Sequence, residues 1–253
     1  MISIIIPVFN ALPLTRQCLD SILLNTTQPY EVILIYNGSE ASTPDWPWPR
    51  FEKTEWSDGF RYMRNETNLG FAAACNQGIL VANGEYLVLL NNDTMVPPRW
   101  AERLLNHLQA CYVPDPNIGM VGPSLSRAGG VQECPAQYAT YEEFCQVAGK
   151  RAVEYEGQSE EVPLLSGTCL MLPARVVREV GLLDERFFPG MFEDNDYCLR
   201  VRMAGYTLRW ATDVFVHHEA CQGFRQLAEP YEDILARNQA RFREKWALGR
   251  YGI

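Results

Sequence analysis

Tyr86-Leu87-Val88-Leu89-Leu90-Asn91-Asn92-Asp93 runs five apolar residues straight into two amides and a carboxylate. A short, unbroken apolar run bounded by turn residues is the pattern of a strand buried on both faces, as in a parallel sheet covered by helices. Two runs of the same kind precede it. Ile2-Ser3-Ile4-Ile5-Ile6 is stopped by Pro7 and leads to Asn10, and Glu31-Val32-Ile33-Leu34-Ile35-Tyr36 leads to the turn Asn37-Gly38-Ser39. Between these runs, Leu14 to Leu24 places Cys18, Leu19, Ile22 and Leu23 on one helical face. Residues 71–82 form a second helical segment. Pro97-Pro98 opens a third, with Trp100, Leu104, Leu105 and Leu108 on one side. Strands alternating with helices predict βαβ units and a largely parallel sheet. Ligands in such sheets bind beyond the carboxyl ends of the strands. Asn10, Asn37 and Asn91-Asn92-Asp93 are therefore expected along one edge.

The second half is less regular. Residues 40–60 hold the stiff aromatic stretch Trp46-Pro47-Trp48-Pro49, and residues 122–162 read as an insertion or loop region. Pattern returns at Leu164 to Leu172. A helix is expected from Glu193 to Ala204, a strand from Trp210 to His218, and a charged helix from about Glu229 to Trp246, packed through Ile234, Phe242 and Trp246.

The 253 residues suit one large α/β domain, and 47% hydrophobic content is enough to bury a core. A net charge of −9 excludes nucleic acid as the main partner, since that work needs a basic stripe. An anionic ligand must then be held locally, by a metal, by backbone N–H groups or by a few arginines. The eight cysteines are scattered without Cys-x-x-Cys spacing and read as free, mostly buried thiols. The start lacks the basic leader and cleavage site of a signal peptide, and no stretch nears the roughly 18 apolar residues of a membrane span. A soluble, cytoplasmic protein is expected, with peripheral membrane association left open. Oligomeric state is not encoded in any pattern found.

Four constellations carry chemistry. Asp93, at a strand end beside two amides, suits a hard divalent cation, although Asn-Asn-Asp is also a common turn. Glu193-Asp194-Asn195-Asp196 opens a helix. Crowded carboxylates raise one another's pKa toward base chemistry, yet acids in a first turn also complement the helix dipole, and Asp196 is spaced to pair with Arg200. His217-His218 ends a strand, so one imidazole of the two should enter the crevice. In Asn68-Leu69-Gly70-Phe71-Ala72-Ala73-Ala74-Cys75-Asn76, the small residues serve helix packing, while Asn68 and Asn76 are open to a ligand.

In order and spacing these pieces resemble the family 2 glycosyltransferases. The matching segments are Ser3-Ile4-Ile5-Ile6-Pro7-Val8-Phe9-Asn10, Asn37-Gly38-Ser39, Asn68-Leu69-Gly70-Phe71, Leu89-Leu90-Asn91-Asn92-Asp93, Ser166-Gly167-Thr168, Gly181 to Phe188, Glu193-Asp194-Asn195-Asp196 and His217. The likeness is strongest to the branch of rhamnosyltransferases and other cell-envelope sugar transferases. It implies a GT-A fold, with a Rossmann-like, mostly parallel central sheet flanked by helices and a smaller acceptor-side region. Residues 1–253 would then be one domain: about 1–110 for the nucleotide sugar, about 111–225 for acceptor and catalysis, and about 226–253 as a C-terminal helix.

The resemblance implies inverting transfer from a nucleotide diphosphate sugar, UDP- or dTDP-linked, to a carbohydrate or glycolipid hydroxyl in polysaccharide, lipopolysaccharide or other glycoconjugate synthesis. Asp93 would bind Mg²⁺ or Mn²⁺, with His217 beside the metal and His218 as the less favoured candidate. Pro7, Val8, Phe9, Asn10, Asn37, Asn68, Gly70, Phe71, Asn76, Asn91 and Asn92 would hold the nucleotide sugar. Asp194 would be the base, with Glu193 beside it, and Gly167, Thr168 and Asp196 would border the acceptor and sugar. Two positions depart from the family pattern. Tyr36 replaces a usual acid and would stack on the base, and Asn91 replaces the first aspartate of the metal motif. A catalytically impaired binding module and a sugar nucleotidyltransferase are the rival readings. The latter lacks its expected basic loop, since no Lys or Arg precedes Arg16. Acceptor choice is expected to lie in residues 40–60, with Trp46, Trp48 and Trp56 as stacking candidates, and in residues 122–162.

Overall fold

The structure is a computed structural model and describes residues 1–39, 57–112, 114–220 and 227–247. β1 (Ile2–Val8) lies at the heart of the sheet, in parallel with β2 (Tyr30–Asn37) on one side and β4 (Tyr86–Leu90) on the other. β3 (Ser57–Asn65) extends β2 in parallel. Beyond β4 the sheet becomes mixed. β8 (Cys169–Pro173) runs antiparallel to β4 and to β6 (Ile118–Leu125), and β6 runs parallel to β9 (Thr207–His218). β9 pairs early with β7 (Ser159–Glu161) and through its last two residues with β5 (Thr94–Met95). The order is β3-β2-β1-β4-β8-β6-β9-β5, the mostly parallel, helix-flanked α/β sheet expected.

The continuous apolar strands follow from burial on both faces. Ile2, Ile4, Ile6 and Val8 pack with α1 (Leu12–Asn25) and α3 (Trp100–Leu108), while Ile5 packs with Ile33 and Ile35 against α2 (Phe71–Val81). Each such side chain stabilises by about 1.5–3 kcal/mol when fully buried. The alanines of α2 let that helix lie close to the sheet, and a Cβ on Gly78 would come within 2.4 Å of Ile5 Cγ2. α5 (Ala174–Val180) and α6 (Glu193–Met203) complete this face through Val176, Tyr197, Cys198 and Val201.

The stretch 122–162 is more ordered than expected. It holds the end of β6, the strand β7 and α4 (Tyr141–Glu154). α4 starts with a capping box in which Glu143 N–H donates to Thr140 Oγ1 and the Glu143 carboxylate accepts from Thr140 N–H. Thr140-x-x-Glu143 is a helix-start signature legible in the chain. β3 likewise begins inside the stretch expected to be loop. The third helix starts at Trp100, two residues past the proline pair, with Trp100 N–H donating to the Pro97 carbonyl. The described cysteines are free, and Cys18, Cys75, Cys169 and Cys198 are buried. α7 (Tyr231–Lys245) is the last described helix. Among the described residues no helix is long and apolar enough to cross a membrane. Trp46, Trp48 and Trp56 lie outside the described residues.

Candidate active site

A cavity of about 810 Å³ opens over the carboxyl ends of the parallel strands. Pro7, Phe9, Asn37, Asn68, Phe71 and Asn91 to Asp93 form one wall. Residues 127–133, Leu164 to Thr168, Glu193 to Asn195, His218 and Tyr231 form the other.

Asp93 leaves β4 into a turn that β5 and β9 hold shut. Thr94 pairs with His218, and Glu219 N–H donates to the Asp93 carbonyl. Asn92 fixes the same turn from below, donating to Thr15 Oγ1 at 2.8 Å and to the Asn10 carbonyl at 3.3 Å. His218 Nε2 comes within 3.3 Å of Asp93 Oδ1, with both side chains largely buried. Its Nδ1 lies 2.8 Å from the Arg127 carbonyl, which can only accept, so that nitrogen carries the proton. With Nδ1 turned to the Arg127 carbonyl, it is Nε2 that faces the Asp93 carboxylate oxygen. Asn91 Oδ1 is buried next to this pair without a hydrogen-bond partner. Two donors of one ion's shell, each about 2.1 Å from it, can stand this far apart. A divalent ion holding waters and phosphates fits that donor set. Among the described residues no cluster of three His, Cys, Asp or Glu side chains surrounds a single point.

Asp194 faces the cavity from the first turn of α6. Its Oδ2 accepts from Gly167 N–H at 2.9 Å and its Oδ1 from Asn195 N–H at 2.8 Å. Burial pushes the carboxyl above the ordinary carboxylate range, and those two N–H groups pull it back only in part. A Cβ on Gly167 would stand 3.2 Å from Asp194 Cβ, so the glycine is what lets strand and carboxylate close up. Glu193 is buried, its Oε2 has no partner, and its carboxyl is pushed well above the usual range by burial and then by the Asp194 charge.

The Asn37 side chain organises the nucleotide-side wall. It donates to Asn68 Oδ1 and the Gly70 carbonyl, and accepts from Asn65 Nδ2 and Leu69 N–H. The loop needs Gly38 at φ 73°, where a Cβ would fall 2.1 Å from Asn68 N.

Several expected residues lie elsewhere. His217 points to the opposite face of β9, its Nδ1 2.5 Å from Tyr138 Oη and its ring edge-on to Tyr138 and Phe144. His218 is the crevice residue: it lines the cavity and its Nε2 reaches Asp93. Val8 is wholly in the core. Asn76 is spent on joining α2 to residues 183–185, through the Leu183 backbone and Glu185 Oε1. Gly70 precedes α2 rather than lining the cavity, and a Cβ there would press on Phe188 at 3.0 Å. Asn10 reaches the site through its backbone, its N–H donating to Ser39 Oγ and its carbonyl accepting from Asn92. Asp196 is fully buried away from the cavity, bonded to Arg200, Lys245 and Trp246. Tyr36 is also buried, its ring beside Tyr62, and cannot stack on a base. Met191, Leu227 and Tyr231 line the cavity without having been singled out, and the 127–133 turn does so within the 122–162 region expected to choose the acceptor. Gly129-Gly130 marked a turn, and nothing in the local pattern marked the other three.

One family model matches most of the chain. The model described as Glycosyl transferase family 2 matches residues 3–180. The protein y4gI of Sinorhizobium fredii is 29% identical over 264 residues, covering 97% of this chain and 26% of its own length. The O-antigen biosynthesis protein RfbC of Myxococcus xanthus is 29% identical over 237 residues, covering 87% of this chain and 17% of its own. The chain thus spans about a quarter or less of these two relatives. The mannosyltransferase PcManGT of Pyrobaculum calidifontis, solved with GDP-Man and Mn²⁺, matches at TM-score 0.62 and 19% identity, over 87% of this chain and 57% of that one.

Proposed function

The chain belongs to glycosyl transferase family 2 and has the GT-A fold, and on that premise we propose that it moves a sugar from a nucleotide diphosphate sugar to an acceptor hydroxyl with inversion. The reading is carried by one arrangement: the Asp93–His218 pair and the Asp194 carboxylate line the same cavity. Inversion needs a nucleophile on the side of the sugar opposite the departing diphosphate. Asp194 takes the proton of the attacking hydroxyl as its oxygen bonds to the anomeric carbon. The bond from that carbon to the diphosphate breaks, and its electron pair leaves with the diphosphate. A carboxylate with a raised pKa is the better base for this, because once ionised it accepts the proton more readily.

Asp93 and His218 would hold Mg²⁺ or Mn²⁺, with the Asn91 amide oxygen in reach. Bound there, the ion neutralises charge growing on the leaving diphosphate. Support comes from the donor pair itself, from the ring orientation that Arg127 imposes, and from the Mn²⁺ in the mannosyltransferase complex. Pro7, Phe9, Asn37, Asn68, Phe71 and Asn92 would enclose the nucleotide, and Gly167 and Thr168 would border sugar and acceptor. Holding hydroxyl and donor in line supplies much of the remaining rate. The donor is read as a UDP- or dTDP-hexose or deoxyhexose, and the acceptor as a carbohydrate or glycolipid of envelope polysaccharide or glycoconjugate synthesis. A glycolipid would bring the chain to a membrane face.

Thermal shift against UDP-, dTDP- and GDP-sugars, with and without Mn²⁺, identifies the donor, since a ligand of the native state raises Tm. With that donor, Asp194→Asn is expected to lower transfer by about 10²–10⁴-fold while leaving the Mn²⁺-dependent shift in place. Full transfer by Asp194→Asn would remove Asp194 from the mechanism.

A further inference from the structure

Phe187-Phe188-Pro189-Gly190-Met191-Phe192 delivers Glu193 and Asp194 to the cavity. Met191 and Phe192 both sit in the left-handed region, at φ 77° and 76°. Large L side chains resist that conformation, and it persists only where the surroundings over-determine it. One side of the turn is held by α2, whose Phe71 N–H donates to the Pro189 carbonyl at 2.8 Å. The other side is held by α7, which lies beyond the segment that the family model matches.

Asn238 is the centre of that second hold. It is fully buried in the middle of α7, where an asparagine contributes little to helix formation. Its Nδ2 donates to the Gly190 carbonyl at 2.7 Å and the Phe187 carbonyl at 2.9 Å, with the Phe188 carbonyl at 3.4 Å. Its Oδ1 accepts from Arg241 Nη1, which also donates to the Arg186 carbonyl at 2.7 Å. The Phe242 ring lies 5.5 Å from that of Phe192. One turn further on, Lys245 Nζ bridges Asp184 and Asp196, and Trp246 Nε1 donates to Asp196, so α7 grips α6 as well as the turn before it. At its other end α7 presents Tyr231 to the cavity. No single aliphatic side chain could replace Asn238, because the Phe187 and Gly190 carbonyls take its two amide hydrogens, while the Phe188 carbonyl is also met by Arg237 Nη2 at 3.2 Å.

We infer that Asn238 is a positioning residue for the reaction: by holding the carbonyls of Phe187 and Gly190, it fixes the left-handed turn that aims Asp194 into the cavity. The inference rests on Asp194 being the base, and the Asp93–His218 end of the site should not depend on it.

The test compares Asn238→Ala, and Arg241→Met as a milder lesion of the same hold, with the wild type. Readouts are amide hydrogen exchange, affinity for Mn²⁺ with UDP and with GDP, and nucleoside diphosphate release from UDP-glucose, dTDP-rhamnose and GDP-mannose. Expected is faster exchange across residues 190–195 with residues 91–94 unchanged. Nucleotide affinity should stay within about twofold, while kcat on whichever donor turns over falls about 10- to 100-fold, as for a misplaced catalytic group. Added to Asp194→Asn, the Asn238 change should lower residual release no further. Unchanged exchange at 190–195, equal losses of affinity and kcat, or full additivity with Asp194→Asn would each overturn the inference. A fully active Asp194→Asn single variant would instead remove the base assignment, so the two failures are told apart.

Discussion

His217 and His218 are adjacent, and the structure gives them opposite duties, so alanine at each should produce different defects. His218→Ala deletes one of the two strong donors beside the cavity together with its hydrogen bond to Arg127. Loss of groups that hold or orient a metal ligand typically costs about 10–100-fold in metal affinity, and losing a direct donor belongs at the upper end. A wild-type protein held at a hundred times the Kd of its Mn²⁺–nucleotide complex gains about 2.7 kcal/mol of stability. Weakening that Kd a hundredfold at the same concentration leaves about 0.4 kcal/mol, since the site is then half filled. For a chain of this size each kcal/mol moves Tm by about 2–4 °C. The ligand-induced shift should therefore shrink from about 5–11 °C to about 1–2 °C.

His217→Ala removes a hydrogen bond to Tyr138, worth about 1 kcal/mol. It also removes edge-on ring contacts with Tyr138 and Phe144, worth about 0.5–1.5 kcal/mol each. Burial holds this imidazole's pKa below its ordinary value, so the ring packs uncharged at neutral pH. The ligand-free Tm should drop, and the Mn²⁺-dependent shift should survive intact. Thermal scans of three proteins, with UDP or GDP and with Mn²⁺ or EDTA, read both quantities. A full ligand shift in His218→Ala alongside its loss in His217→Ala would refute the facing assigned to β9.

Three further outcomes follow from the site. Because burial raises the Asp194 pKa and the base must be ionised, the acid limb of the kcat/KM profile should fall at a pH above the ordinary carboxylate range; a limb at or below the free aspartate value would contradict this. Glu193 has a folded pKa above its unfolded one, so it binds its proton more tightly when folded and costs stability as pH rises past the unfolded value of about 4.3. Glu193→Gln should therefore raise Tm more at pH 8 than at pH 4, and an equal or reversed difference in paired scans would count against a buried, strained carboxylate. Gly38→Ala places a Cβ 2.1 Å from Asn68 N at a left-handed φ. It should cost about 3 kcal/mol or more in urea unfolding, and an unchanged midpoint would show that the 65–70 loop yields freely.

Much of this molecule is legible in local pattern. Apolar runs such as Ile4 to Ile6 and Tyr86 to Leu90 can satisfy themselves only between two helical layers. The faces of α1 and α3 follow from periodicity, and the polar residues that end those runs must reach the crevice because parallel strands share one carboxyl edge. Asp93 could thus be picked out before any coordinates, whereas Asp194 was singled out through the family resemblance. The capping box at Thr140 was equally legible, as a helix start inside an apparent loop. What only tertiary structure decided depends on partners far along the chain. Alternation along β9 says that only one histidine enters, and contacts with distant groups decide which: His218 meets Asp93 and the Arg127 carbonyl, and His217 meets Tyr138. Asp196 looks like its neighbours until Lys245 and Trp246, some fifty residues later, claim it. Asn238 carries no local signal whatever, because its meaning lies in two carbonyls of another element. Periodicity reports which face is buried; it is blind to which distant group meets a given atom there, and that meeting sets the geometry around Asp93 and Asp194.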